Sequence, residues 1–197
     1  MSPGQRVHLS IMAAVGALVA VGLAVALHDS TFPVPQGSGS VALVVDFFGE
    51  PVGAVLVLGG LVAATLPARN WRWTGLAVIG PGLTVVLTTV VKPLVGRTIN
   101  GPHLSYPSGH TAYATAVGLV VALLLARRFG RFVPLTLAVP TIFGAAMAWA
   151  QVSLGAHYVT DTIGGYATAL AITATAALLL LPTATHSPAP LLVEPLP

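Results

Sequence analysis

Two short polar segments interrupt an otherwise apolar chain, and they hold the residue types best suited to chemistry. The first is Tyr-Pro-Ser-Gly-His-Thr at 106–111, which follows closely on Lys92 and Arg97. The second is Gly-Ala-His-Tyr-Val-Thr-Asp at 155–161. Only 7% of the chain is charged, so polar groups gathered this closely need a reason. We interpret the two segments as halves of one site.

The residue types in the first segment suit a phosphate group. A helix that begins near Ser108 and Gly109 would offer unpaired backbone N–H groups and the positive end of its dipole to an anion. Lys92 and Arg97 would add charge-assisted hydrogen bonds to the phosphoryl oxygens. We therefore expect these four residues to bind phosphate.

The second segment offers a nucleophile. His157 and Asp161 are four residues apart, which places them on one face of a helix. A carboxylate that accepts the imidazole N–H fixes the tautomer and leaves the other ring nitrogen free to attack.

Simpler interpretations stay open at this point. Asp161 could only cap the last helix, and Ser108 could likewise be only an N-cap. His110 and His157 could be histidines at the membrane interface. Two histidines and an aspartate could also bind a metal, but no His-x-x-x-His or carboxylate-rich pairing supports this. We predict neither a metal nor a cofactor.

The composition indicates a membrane protein. The 197 residues are 55% hydrophobic, with a mean hydropathy of +0.90, and a transmembrane helix needs ~20 apolar residues. We predict an all-α bundle of six transmembrane helices in a single domain at 1–182, followed by a proline-rich, disordered tail at 183–197. The predicted helices are Val7 to Leu27, Pro51 to Leu66, Gly75 to Val91, Thr111 to Ala126, Val133 to Val152 and Asp161 to Leu181.

Two parts of this division have alternatives. Residues 7–27 could be a signal peptide, but the apolar stretch is longer than the usual core of a signal. Residues 41–50 carry two acids and two phenylalanines, so we place them at the membrane interface.

The distribution of charge predicts the orientation. Cytoplasmic loops carry an excess of Lys and Arg, and six helices put Arg6, Arg69, Arg72, Arg127, Arg128 and Arg131 on one side. Lys92 and Arg97 lie on the other side, so the site is expected to face outward. Eight cations are too few and scattered for a nucleic-acid surface. The absence of cysteine excludes a thiolate nucleophile.

The order Lys92, Arg97, Pro-Ser-Gly-His at 107–110 and His157 to Asp161 resembles the three-part signature of the type 2 phosphatidic acid phosphatase superfamily. The resemblance implies an all-helical fold and a metal-independent phosphatase. It implies that His157 forms a phosphohistidine and is oriented by Asp161. It further implies that His110 protonates the leaving oxygen and then activates water, while the phosphate is held by Lys92, Ser108 and Gly109.

Two elements depart from the family pattern. The first usually ends in Arg-Pro, where this chain has Ile99 and Asn100. The third usually opens with Ser-Arg, where this chain has Ala150 and Gln151. We expect Arg97, two positions early, to replace one missing arginine.

The expected function is that of an integral-membrane phosphatase acting on a lipid phosphomonoester or diphosphate at the outer leaflet. Polyprenyl phosphate or diphosphate, phosphatidate and phosphatidylglycerol phosphate are all compatible substrates. The alternative is a catalytically weakened relative that binds or moves a phospholipid, which the missing arginines motivate. A related haloperoxidase would be expected to be soluble, and the apolar helices argue against it. The sequence predicts no oligomeric state.

Overall fold

The computed structural model of the chain describes residues 39–129 and 133–181, together with five positions before them, at 16, 20 and 22–24. Those five positions are helical. The rest of the predicted first helix and the predicted tail lie outside the described residues.

From residue 39 onward, the described residues form six α-helices and one small hairpin. The helices are α1 (Ser40–Phe47), α2 (Pro51–Thr65), α3 (Trp71–Val95), α4 (Gly109–Phe129), α5 (Val133–Ser153) and α6 (Val159–Leu180). A 3-10 turn, Leu66–Ala68, follows α2. The strands β1 (Thr98–Ile99) and β2 (His103–Leu104) pair antiparallel between α3 and α4, so the fold is mostly, rather than entirely, helical.

Four helices are long and apolar enough to cross a membrane, namely α3, α4, α5 from Thr136 and α6. Helices α1 and α2 together pass the same test, but they meet at an angle of 55° and form one bent span or a re-entrant loop. The described part of the chain therefore holds four or five spans of a multi-pass membrane protein. Six spans are not confirmed, because the first predicted helix lies largely outside it.

Hydroxyl groups within the helices bond to the backbone of their own helix. The Oγ1 atoms of Thr84, Thr115 and Thr168 donate to the carbonyls four residues earlier at 2.7–2.8 Å. A polar side chain satisfied in this way needs no water. Threonine therefore occurs inside the bundle without marking a site.

Helix α3 is longer at both ends than the predicted Gly75 to Val91. It begins after Asn70, whose side chain accepts the Arg72 N–H at 3.2 Å. It ends at Gly96, which has a φ of 69°, a left-handed conformation that suits glycine. Lys92 therefore lies in the last turn of α3 and not in the connection that follows.

Helix α4 is the centre of the bundle and packs against α3, α5 and α6. Close approach depends on small residues. A Cβ atom at Gly118 would lie 2.9 Å from the Pro140 Cα, and one at Gly165 would lie 2.3 Å from the Ser108 carbonyl oxygen. The main apolar cluster comes from α2, α3, α4 and α6, and comprises Leu61, Leu76, Ala77, Val120, Ala176 and Ala177.

Candidate active site

The two polar segments meet where α4 and α6 begin. The Ser108 N–H donates to the Asp161 carbonyl at 2.9 Å. Tyr106 packs on the backbone of Gly164, where a Cβ atom would lie 2.5 Å from the tyrosine ring. The structure thus brings together the halves that the sequence separates by about fifty positions.

His157 and Asp161 form the core of the site, but they do not share a helix face as their spacing predicts, because His157 lies two residues before the start of α6. The His157 Nδ1 lies 3.5 Å from the Asp161 Oδ2, and the carboxylate is fully buried. The same Oδ2 accepts the N–H of Tyr158 at 3.0 Å. Asp161 therefore caps α6 and faces the imidazole at once, so the two interpretations of this residue are compatible. The Nε2 of His157 is the ring nitrogen left for chemistry.

Arg97 reaches this pair from the loop after α3. Its Nη1 donates to the Thr160 Oγ1 at 2.7 Å and lies 3.3 Å from the Asp161 Oδ1. The guanidinium also stacks over the Tyr158 ring at 4.5 Å. Its Nη2 is buried and has no hydrogen-bond partner among the described residues. One end of Arg97 thus holds Asp161, and the other end is available to an anion.

The start of α4 has both properties expected of it. The Ser108 Oγ accepts the Thr111 N–H at 3.3 Å, so Ser108 caps the helix. Its own N–H bonds to Asp161 and is not available to a ligand. The N–H groups of Gly109 and His110 have no partner within the described part of the chain, and they are the donors that α4 can offer to a phosphate.

Lys92 lies beside the start of α4. It is partly buried, and with Gly109 and His110 it lines a cavity of about 550 Å³. The remaining walls come mainly from α2 and α3 and are largely apolar. They comprise Gly49, Pro51, Ala54, Val55, Leu58, Pro81, Gly82, Val85, Thr88, Thr89 and, from α4, Tyr113.

His110 lies in the first turn of α4 next to Asp46 and Glu50, two acids that the sequence predicts at the membrane interface. Its Nε2 lies 3.5 Å from the Glu50 Oε1 and 3.8 Å from the Asp46 Oδ1. Asp46 lies in the last turn of α1, and Glu50 directly precedes α2. Their spacing of four residues, in a chain with only five acids, is the signal that could have revealed them.

Both departures from the family pattern have a structural counterpart. Asn100 has a φ of 50°, which proline cannot adopt, and its side chain donates to the Gly155 carbonyl at 2.8 Å. Ile99 is buried at 8% exposure. Gln151 is also buried, and its amide donates to the Asp46 Oδ1. Each replacement therefore packs or bonds within the protein.

Tyr106 is the uncharged neighbour of the site. Burial raises the pKa of its phenol, the negative charge of Asp161 raises the pKa further, and Arg97 acts in the opposite direction. Tyr106 therefore stays neutral over the physiological range. His103, the other histidine near the site in sequence, is exposed on β2.

Within the described residues, the donor atoms close enough to share a metal ion are those of Asp46, Glu50 and His110, which lie within 4.8 Å of one another. This set differs from the His110, His157 and Asp161 combination considered from the sequence. Asp46 is already bonded to Gln151, which reduces its capacity as a ligand.

A membrane-spanning helical bundle with this histidine and arginine site is matched by a known protein family. The sequence model of the PAP2 superfamily matches residues 88–184. The match covers just under half of the chain and confirms the resemblance to the type 2 phosphatidic acid phosphatase superfamily that the sequence indicates.

A solved structure supports the same fold. It is the crystal structure of the first transmembrane PAP2 type phosphatidylglycerolphosphate phosphatase from Bacillus subtilis. The two proteins are 20% identical and superpose with a TM-score of 0.61, over 87% of this chain and 90% of the other. No curated protein matches the chain significantly.

Proposed function

We propose that the chain is an integral-membrane phosphatase that removes a phosphate from a lipid phosphomonoester or diphosphate through a phosphohistidine, without a metal. The observation that carries the proposal is the buried pair of His157 and Asp161, whose nitrogen and oxygen lie 3.5 Å apart beside the free donors of Arg97 and α4. A nucleophile with its orienting group and a phosphate cradle are then present in one place.

The first half-reaction forms the phosphoenzyme. Asp161 holds the Nδ1 side of the His157 ring, so the lone pair of Nε2 attacks phosphorus. The bond between phosphorus and the leaving oxygen breaks, and the electron pair goes to that oxygen. His110 supplies the proton that makes it an alcohol or a phosphate. The Arg97 Nη2, the Lys92 ammonium and the N–H groups at the start of α4 stabilise the phosphoryl oxygens.

The second half-reaction releases the phosphate. His110, now neutral, takes a proton from water as the water oxygen bonds to phosphorus, and the bond to His157 breaks. Inorganic phosphate leaves, and both histidines return to their starting states. The same residue thus serves first as general acid and then as general base.

A lipid substrate is supported by the cavity beside Lys92 and His110. Its walls of Pro51, Ala54, Val55 and Leu58 suit an acyl or prenyl chain, and the polar groups lie at one end. The Bacillus relative is a phosphatidylglycerolphosphate phosphatase, which places this lipid beside phosphatidate and polyprenyl diphosphate as a substrate to test. The cation distribution favours an active site on the extracytoplasmic side.

The experiment is release of inorganic phosphate by the purified protein in lipid nanodiscs, with those three lipids and a water-soluble aryl phosphate. The wild type should hydrolyse at least one of them, and His157→Ala should hydrolyse none. His103→Ala, which changes an exposed histidine on the nearby hairpin, is the matched control and should keep its activity. Full activity in His157→Ala would exclude the mechanism.

The second candidate is a relative that binds a phospholipid with little turnover. Ile99 and Gln151 favour it, because they stand where the family pattern has arginines. Ile99 is buried and Gln151 is bonded to Asp46, so neither supplies a positive charge to a phosphate. Saturable binding of a phosphorylated lipid without phosphate release from any member of the panel would support this candidate over the first.

A further inference from the structure

The imidazole of His110 packs against the bend between α1 and α2. Its Nε2 is buried, lies 3.5 Å from the Glu50 Oε1 and 3.8 Å from the Asp46 Oδ1, and has no hydrogen-bond partner among the described residues. An N–H···O bond spans about 2.7–3.2 Å, so a small rotation of the ring or of Glu50 forms one. Two carboxylates therefore face one nitrogen of the proposed general acid.

Gly49, between the two acids, determines which edge of the ring the bend covers. A Cβ atom at this position would lie 2.3 Å from the His110 Cδ2 and 3.0 Å from its Cγ. Only a residue without a side chain permits that approach. The bend thus covers the edge that carries Cδ2 and Nε2, which leaves Nδ1 on the opposite edge of the ring.

The bend is held in place by two other helices. From α5, the buried amide of Gln151 donates to the Asp46 Oδ1. From α4, the Tyr113 hydroxyl donates to the Ala54 carbonyl, in the first turn of α2, at 2.6 Å. The bend is therefore tied to α4, which carries His110, and to α5.

We propose that Asp46 and Glu50 are positioning residues for His110 and that Gln151 holds Asp46 in place. The inference rests on the proposed function. The carboxylates accept the Nε2–H, which stays on the ring throughout. The Nδ1 proton moves to the leaving oxygen as its bond to phosphorus breaks and His157 bonds to phosphorus. In the second step, Nδ1 takes a proton from the attacking water as the bond to His157 breaks.

The test compares substrates whose leaving groups need a proton to different extents. A lipid alkoxide needs one, whereas p-nitrophenolate leaves without it. The Asp46→Asn and Glu50→Gln double variant should lose roughly ten- to a hundred-fold in kcat/KM on the best lipid phosphate and less than about threefold on p-nitrophenyl phosphate, because kcat/KM reports departure of the leaving group and not the later hydrolysis of the phosphoenzyme, which both substrates share. Phe47→Leu, an exposed apolar change on α1, is the control. Equal loss on both substrates, or no loss on either, would overturn the proposal.

A second measurement does not depend on turnover. In protein labelled with ¹⁵N-histidine in nanodiscs, His110→Gln assigns the His110 signals. The proton on Nε2 should exchange slowly with water in the wild type and be lost from the spectrum in the double variant. Its absence in the wild type, or its persistence in the double variant, would overturn the role of the carboxylates. If the wild type hydrolyses no phosphate ester, the proposed function is refuted. The NMR measurement would then still decide whether Asp46 and Glu50 hold the Nε2 proton of His110.

Discussion

The backbone N–H of Ser108 donates to the backbone carbonyl of Asp161 at 2.9 Å. This bond connects the residue before α4 to the first turn of α6. Its two ends belong to backbone groups, so it is independent of side-chain identity. It determines how far the phosphate-binding end of α4 stands from the His157 nucleophile, and any change that separates the two helices should impair stability and catalysis together.

Gly165→Ala should test this contact. The new Cβ would lie 2.3 Å from the Ser108 carbonyl oxygen, and backbone cannot move away as a flexible side chain does. We expect a loss of about 1–3 kcal/mol in the free energy of unfolding, as for other overpacked cores, with reduced turnover. Gly59→Ala, where a Cβ meets nothing within 4 Å, is the control. Thermal unfolding in detergent would measure both, and equal stability in both would contradict the prediction.

A phosphohistidine on His157 should be trappable. Rapid quenching with a ³²P-labelled substrate should yield an acid-labile, base-stable phosphoenzyme in the wild type and none in His157→Ala. Its formation should be unaffected by a chelator, because the proposed reaction uses no metal. Loss of activity in chelator that one divalent ion restores would point instead to the Asp46, Glu50 and His110 group.

The side of the membrane that the site faces can be measured because the chain has no native cysteine. Leu104 on β2 and Phe129 are both exposed. Leu104 lies a few residues before the start of α4 and Phe129 is its last residue, and α4 is roughly 30 Å long. A membrane-impermeant maleimide applied to intact cells should label Leu104→Cys and not Phe129→Cys. The reverse pattern would turn the active site toward the cytoplasm, and labelling of both after permeabilisation is the control.

Arg97→Ala should remove both the bond to Thr160 and the contact with Asp161. Each charge-assisted hydrogen bond is worth about 1.5–3 kcal/mol, so the specificity constant should fall at least ten- to a hundred-fold. Arg97→Lys should recover part of the loss, since it keeps the charge but not the fork of donors. Unchanged turnover and unchanged affinity for inorganic phosphate in Arg97→Ala would show that Arg97 is only a loop charge.

Tyr106 should make stability sensitive to alkaline pH. The folded state raises the pKa of the Tyr106 phenol, so the neutral phenol stabilises the folded protein relative to the unfolded chain. This stabilisation is complete below the unfolded pKa of about 10 and is lost as the pH rises through the folded pKa. The melting temperature of the wild type should therefore fall more steeply than that of Tyr106→Phe above a pH of about 10. The other three tyrosines remain in both proteins, and parallel curves would contradict the assignment.

The positions of α2, α4, α5 and α6 could be predicted closely from the sequence, because apolar runs of membrane length form helices to satisfy their backbone. The end of α3 could not. A proline after Lys92 argues against continued helix, yet α3 continues to Val95 and ends at Gly96. As a result Lys92 faces the cavity from a helix and not from a loop.

The candidate site divides in the same way. The start of α4 after Ser108 follows from local sequence. His157 and Asp161 do lie close together, but His157 precedes the first residue of α6, so the prediction that both lie on one face of a helix is wrong. Composition alone predicts only that Asp46 and Glu50 lie at the membrane interface. Their contact with His110 depends on the 55° bend between α1 and α2, which has no local signature.

The sequence by itself determined the membrane class of this protein, the order of its polar segments and its resemblance to the PAP2 superfamily, because hydropathy and short-range spacing are properties of neighbouring residues. Only the tertiary structure decided which residues surround each histidine. Arg97 reaches Asp161 across 64 positions, and Gln151 reaches Asp46 across 105. Such partners are selected by helix packing, which depends on the fit of whole surfaces and not on spacing along the chain.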